Sequence, residues 1–307
     1  MAAIPTPVLV SGATGFIGRG LCHTLKERGL TFTACSRRPD RAKSLLPGVK
    51  EAYRWRPKLE SAPLAAIQGA QAVVHLAGET VAGRWTKDKK KAIRESRIVG
   101  TRNLVDAIGD AKSKPGVLVC ASAVGYYGSR GDEELTEDSG PGDDFLAELC
   151  QAWEAEAKRA EEFGVRVVML RTGVVLGLGG GALQQMLLPF KMGLGGPVGN
   201  GRQWMPWVSL DDVIGIILHA IGVADIKGPV NVTAPHPVRN AEFAKTLGKV
   251  LHRPAFLPAP TFVLKILLGE FADVLLSSQR ILPKRIQQSG YAFRHPTLEA
   301  ALPAILA

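Results

Sequence analysis

Short strand-like runs, mostly apolar and most regular at Val8 to Val10, alternate with helical patterns along most of the chain. Val8 to Val10 is the first such run, and others follow at Thr31 to Cys35, Ala52 to Trp55, Ala72 to Leu76, Val117 to Cys120, Val165 to Leu170 and Val230 to Thr233. Runs that lack an in-and-out alternation predict strands buried on both faces, as in a parallel sheet. Helical patterns fill the gaps: one opening after Gly15 and running to about Gly29, then Lys87 to Ala111, Phe145 to Glu162 and Asp211 to Val223. Strands separated by helices imply βαβ crossovers. After Arg171 the rhythm changes. Glycine-rich stretches, Gly177 to Gly181 and Gly193 to Gly201, flank an apolar helix at Ala182 to Met192. From Asn240 onward the pattern is helical, with Asn240 as the expected N-cap and Glu242 in the first turn, until Pro254, Pro258 and Pro260 break it.

Composition adds limits to this picture. With 307 residues, 46% of them hydrophobic, the chain can fill one large α/β domain plus an appendage. The net charge of +10 raises the question of a nucleic-acid or membrane partner. The basic residues are scattered, however, and the one run, Lys87 to Lys91, suits a solvated helix face. The expectation is no nucleic acid and no membrane partner, with the charge favouring an anionic small ligand. Cys22, Cys35, Cys120 and Cys150 lie far apart and form no metal-ligand spacing, so they read as buried thiols of a reducing compartment. Met1 to Pro7 lacks the charged start of a secretory signal, and Phe262 to Leu268 is too short to span a bilayer. A cytoplasmic location is expected.

The first candidate chemistry is the turn after the first strand, Gly12-Ala13-Thr14-Gly15-Phe16-Ile17-Gly18. Glycines at this spacing permit a tight turn, close approach of a pyrophosphate and close packing of the helix, whose free amides and dipole then face the diphosphate. The fold class expected is therefore α/β, a Rossmann-type doubly wound parallel sheet with a smaller, mainly helical C-terminal substrate lobe. Residues 1–175 would form the dinucleotide-binding domain, with 206–233 returning to it, and 176–205 and 234–307 the lobe. At the end of the second strand, Ser36, Arg37 and Arg38 stand where an NAD site places an acid. A hydroxyl and two guanidiniums suit a 2′-phosphate instead, so the expected cofactor is NADP.

Three motifs together, Gly12 to Gly18, His75-Leu76-Ala77-Gly78-Glu79 and Ser122-Ala123-Val124-Gly125-Tyr126-Tyr127-Gly128, resemble those of extended short-chain dehydrogenases and NAD(P)-dependent epimerases. The resemblance is nearer to an atypical, sugar-nucleotide-epimerase-like subgroup with a small C-terminal domain of unassigned function. It continues through Gly179-Gly180-Gly181-Ala182, Gly193-Leu194-Gly195-Gly196-Pro197, Trp207 and Asp211-Asp212. It implies that Leu76, Ala77, Gly78 and Glu79 run beneath the cofactor, and that Arg97 lies near its phosphates. It places Arg171, Thr172, Gly173 and Val174 beside the nicotinamide. A monomer or a homodimer through the two long helices is implied in the same way.

The usual proton-transfer pair of that family, Tyr and Lys spaced as YxxxK on one helix, does not occur. Leu149 and Trp153 stand in its place. Ser122 remains, with Tyr126 and Tyr127 close behind as substitute acids; Glu79 and Glu148 are lesser candidates. The loop carrying Arg202, Gln203, Trp204 and Trp207 is expected to face a substrate cleft. Two functions stay open: an NADP-dependent oxidoreductase or epimerase acting on a carbonyl or alcohol of a small-molecule substrate, possibly a sugar nucleotide, and a non-catalytic NADP-binding redox sensor or scaffold.

Overall fold

The computed structural model describes residues 3–307. Seven parallel strands form the central sheet: β1 (Val8–Ser11), β2 (Phe32–Ser36), β3 (Ala52–Arg54), β4 (Ala72–His75), β5 (Val117–Ala123), β6 (Arg166–Thr172) and β7 (Gly228–Val232). Their order across the sheet is β7-β6-β5-β4-β1-β2-β3, so the chain reverses direction between β1 and β4. In such a sheet the crevice at the reversal, outside the carboxyl ends of the strands, is where ligands bind.

Neighbouring strand residues point to opposite faces, and both faces are apolar. Val8, Val10, Val74, Val119 and Val168 enter one core with helices α1 (Phe16–Glu27) and, later in the chain, Leu210–Gly222. Leu9, Val73, Leu118 and Val167 enter the other, beneath helices α2 (Lys87–Asp110) and α3 (Phe145–Lys158). This is why the strands read as continuous apolar runs. Capping sets the helix starts. Thr86 accepts from the Lys89 amide at 3.1 Å and Asp144 from the Ala147 amide at 2.9 Å.

The structure departs from the sequence expectation at two helix ends. The α-helix expected to reach Glu162 stops at Lys158 and tightens into a 3-10 turn, Arg159–Phe163, that Gly164 ends with a φ of 77°. Asn240 is not the N-cap: Arg239 holds that position, and the Asn240 side chain instead accepts from the Val198 amide at 2.7 Å, inside the glycine-rich loop. A half-buried backbone donor there takes the side chain that would otherwise cap the helix.

A third apolar cluster joins Leu183, Leu187 and Phe190 to Trp207, Phe243, Leu247 and Leu302. It is tied to the sheet layer by Asp212, a buried carboxylate in the first turn of the Leu210–Gly222 helix. Asp212 accepts from the Ser209 and Tyr291 hydroxyls and from the amides of Arg294 and His295, at 2.7 to 3.1 Å. The motif acid thus clasps the C-terminal segment. The Lys87 to Lys91 run is equally absorbed: Lys89 pairs with Glu79, Lys90 with Glu270 and Lys91 with Glu95.

Candidate functional site: a dinucleotide crevice and a buried charge network

The turn after β1 behaves as its glycines require. Gly12 has a φ of +68°, and a Cβ there would lie 2.7 Å from the Leu76 backbone. The turn after β1 and the turn after β4 can approach this closely only because position 12 lacks a side chain. Helix α1 starts from Gly15 with no side-chain cap and no acid in its first turn. Its leading amides and its dipole are therefore left for an anion, with Thr14, Phe16, Ile17 and the buried Gly18 around them. Arg19 donates to the Gly179 carbonyl at 3.0 Å, so the glycine-rich loop after β6 lies against the same helix start.

At the end of β2 the Ser36 hydroxyl accepts from the Arg38 amide at 3.1 Å and holds the turn. Arg37 and Arg38 are exposed, and among the described residues their guanidiniums have no hydrogen-bond partner. Glu79 lies near Arg37, but its carboxylate is bound by Lys89 at 2.8 Å, which keeps it below the usual carboxylate range. It is a poor proton donor. Arg97 reaches back from α2 to the Glu79 carbonyl at 2.9 Å, and its guanidinium stacks over the Trp153 ring at 5.1 Å. Burial lowers its pKa. Leu149 and Trp153, the residues standing for the missing Tyr and Lys, are 1% and 4% exposed. The lysine position is filled by an indole, and a cation from the neighbouring helix sits upon it.

Ser122, Arg171 and Asn231 are register partners across β5, β6 and β7, so their side chains share one face of the sheet. Glu154 of α3 joins them. Its carboxylate accepts from the Ser122 hydroxyl at 2.6 Å and from Arg171 twice, at 2.9 and 2.8 Å. Burial alone would lower the Arg171 pKa, but the Glu154 carboxylate more than offsets this and raises it. Tyr127 donates to Asn231 at 2.6 Å and accepts from Arg171 at 3.1 Å; burial pushes its phenol up to about 12.

These contacts correct several sequence expectations. Arg171 and Tyr127 do not face the crevice: they are 3% and 0% exposed and belong to the network between sheet and helix. The Ser122 proton is committed to Glu154, so its oxygen is left to accept rather than donate. Gly173 is dictated by protein packing, since a Cβ there would meet the Pro206 carbonyl oxygen at 2.2 Å. Thr172 bonds to the Leu170 carbonyl, and Val174 opens a short strand paired with Trp207–Ser209. Trp207 is wholly buried, its indole N–H on the His236 carbonyl, and does not line a cleft. Glu148 is exposed on the first turn of α3.

Tyr126 differs from its neighbour. It is half-buried, its ring lies 3.4 Å from the Arg171 guanidinium, and among the described residues its hydroxyl has no hydrogen-bond partner. A cavity of about 440 Å³ is lined by Asp132, Asn200, Arg202, Gln203, Arg239 and Ser278. Trp204 stands beside it with Arg239 and Arg280 over its ring. Arg239 is shared with Asp132, whereas among the described residues the Arg202 side chain has no hydrogen-bond or ion-pair partner.

Glu154 was missed by the sequence reading. Cys150, Trp153, Glu154 and Ala157 form one buried stripe at helical spacing; an acid inside such a stripe was the available signal. His75, in contrast, is wholly buried in the sheet. It shares a 2.6 Å hydrogen bond with Ser11 on the neighbouring strand, and burial pushes its pKa down to about 4. The unfolded chain protonates this ring near 6.5 and the folded chain only near 4. Stability is therefore full above the higher value and falls as the pH drops between the two. The expected loss is at most about 3 kcal/mol, flat below the window. Urea midpoints measured against pH check this, since a His75→Asn variant should lose that part of the slope.

A reversed parallel sheet, a glycine turn under an uncapped helix and a polar row at the strand ends define a Rossmann-type dinucleotide-binding protein of the short-chain dehydrogenase class. Comparison with known proteins agrees. Residues 8–232 match the model of the NAD dependent epimerase/dehydratase family, and residues 259–305 match a domain of unknown function, DUF1731. The chain belongs to the NAD dependent epimerase/dehydratase family. It is 42% identical to the chloroplastic epimerase family protein SDR39U1 homolog of Arabidopsis thaliana, over 97% of this chain and 86% of that one. It is 39% identical to the epimerase family protein YfhF of Bacillus subtilis, over 98% of each. The crystal structure of human epimerase family protein SDR39U1 (isoform 2) with NADPH superposes with a TM-score of 0.88 at 40% identity, covering 97% of this chain and 98% of that one. The four cysteines are free and buried. Among the described residues no helix is long and apolar enough to cross a membrane.

Proposed function

We propose that this chain binds NADP(H) and catalyses hydride transfer to or from a carbonyl or secondary alcohol of a small, negatively charged substrate. The cofactor reading is supported by the uncapped start of α1, by the unpaired Arg37 and Arg38 at the end of β2, and by a relative crystallised with NADPH. The residues fit the group: the glycine turn leaves room for a diphosphate, and the two guanidiniums suit a phosphate monoester. Leu76, Ala77 and Gly78 form the floor opposite. Arg97, on its Trp153 platform and beside Gly78, offers its charge to the cofactor's phosphates.

Bound NADPH supplies the hydride. Tyr126 then gives a proton to the substrate oxygen or takes one from it. The observation that carries this role is its hydroxyl, the one phenol beside Ser122 that protein partners do not consume. Glu154 clamps Arg171, and Arg171 fixes the Tyr126 ring. Arg202 and Arg239, which line a cavity of about 440 Å³, favour a phosphate or carboxylate on the substrate.

The test is oxidation of NADPH, followed by absorbance, across a panel of phosphorylated carbonyl compounds and sugar nucleotides. With a turned-over substrate, Tyr126→Phe is expected to lower kcat by about 10²–10⁴-fold with NADPH affinity unchanged. The burial of Leu149 and Trp153 favours the second reading, a non-catalytic NADP-binding sensor. Tight NADPH binding with no turnover across the panel would establish that reading instead.

A further inference from the structure

The helix Thr261–Leu268 has the sequence of a core helix, Phe262-Val263-Leu264-Lys265-Ile266-Leu267-Leu268, yet none of its residues is buried. Phe262 and Ile266, one turn apart on one face, are 67% and 66% exposed. The surface continues beyond the helix. Backbone bonds from Leu257 to Gly195 and from Ala259 to Pro197 lay the 255–259 segment along the 193–199 loop, and Arg253 donates to the Lys191 carbonyl at 3.1 Å. Leu188, Met192, Leu194 and Phe256, all more than half exposed, therefore belong to the same region. Single exposed apolar residues are ordinary, but a set of this size on one region marks a contact surface.

Charge says what kind of surface it meets. The chain has no Asp or Glu between Glu162 and Asp211, and none between Glu242 and Glu270. The two segments that build the face come from these acid-free stretches. Their charged residues are cations, and Lys191, Lys249, Arg253 and Lys265 are all exposed. At the end of the helix Glu270 and Asp273 are paired with Lys90 and Lys265.

We propose that this face adsorbs to an anionic lipid bilayer, with Phe262, Ile266, Leu194 and Phe256 entering the headgroup boundary while the lysines and Arg253 meet lipid phosphates. An apolar face with a cationic, acid-free surround is what peripheral attachment requires, and neither part suffices alone. This concerns surface attachment and not a membrane span. It revises the sequence expectation of no membrane partner, which excluded only a spanning segment at Phe262 to Leu268. It does not depend on the catalytic proposal.

The experiment is co-sedimentation of the full chain with vesicles of phosphatidylcholine alone or with about a third phosphatidylglycerol. Binding is expected to the anionic vesicles only, weakening as salt is raised. Phe262→Ser/Ile266→Ser, and separately Lys191→Glu/Lys249→Glu, should each reduce partitioning on the order of tenfold or more. All these positions are exposed, and an unchanged NADPH-induced rise in Tm verifies that the variants fold. Equal partitioning on neutral and anionic vesicles, or none on either, overturns the proposal. So does a dimer, seen by sedimentation, that Phe262→Ser/Ile266→Ser converts to monomer, since the face would then be an interface between copies.

Discussion

Replacing Glu154 by alanine is expected to destabilise the fold by about 3–5 kcal/mol, because it strands the Arg171 guanidinium in the interior without its carboxylate. The pair is 4% and 10% exposed at its side chains, so solvent cannot take over the lost interaction. The substitution also removes the acceptor of the Ser122 proton and the clamp behind Tyr126. Two comparisons separate charge from packing. Arg171→Met alone should cost less than Glu154→Ala if Ser122 and water can still solvate the acid. The double variant Glu154→Leu/Arg171→Met should recover most of the loss, since an apolar pair of similar volume avoids both desolvation costs. Guanidinium unfolding followed by tryptophan fluorescence reads all three. An unchanged midpoint in Glu154→Ala would show that the pair does not hold α3 to β5 and β6.

The second large effect is on cofactor choice. Arg37→Ala/Arg38→Ala is expected to weaken NADPH binding by about 3–4 kcal/mol, some two to three orders of magnitude, from the loss of charge-assisted bonds to the 2′-phosphate. NADH affinity should stay within a few-fold, because that cofactor lacks the phosphate. Titration calorimetry with both cofactors gives the answer directly. The two arginines are exposed and, among the described residues, hold no other side chain, so stability should not change. A parallel fall for NADPH and NADH would mean that the residues contribute only general field, and would remove the basis for preferring NADP.

These two results lie at opposite ends of what the sequence made legible. Arg37 and Arg38 were readable because their meaning is local: they follow a strand and precede Pro39, so the position alone puts them at the crevice. The glycine turn was readable for the same reason. Gly12 and Gly18 are forced by contacts within a few residues and with the adjoining β4 turn, which the regular strand rhythm already implied. The central sheet strands were likewise visible, because burial on both faces writes a mostly apolar run, as at Val8 to Val10 and Val117 to Cys120; the edge strand Ala52–Arg54, with Arg54 exposed, was the weakest.

The polar network was not legible in this way. In the sequence Glu154 looks like the other acids of a helix rich in Ala and Glu, and Glu148 and Glu156 would have served as well. Only the rotation of α3 on the sheet turns Glu154 inward to meet Ser122 and Arg171, which come from two other strands. Tyr126 and Tyr127 are adjacent and chemically identical, yet one phenol is consumed by Asn231 and the other is left free. Arg97 was placed near the cofactor by resemblance, but its seat on the Trp153 ring joins two helices and no spacing announced it.

The sequence by itself determined the layered sheet, its glycine turn and the cationic end of β2, since each follows from periodicity or from backbone sterics over a few residues. Tertiary structure alone decided which polar groups bury each other, and which apolar side chains of 188–194 and 256–268 remain outside. Burial depends on what other elements supply opposite each residue, and a side chain carries no local record of its distant neighbours.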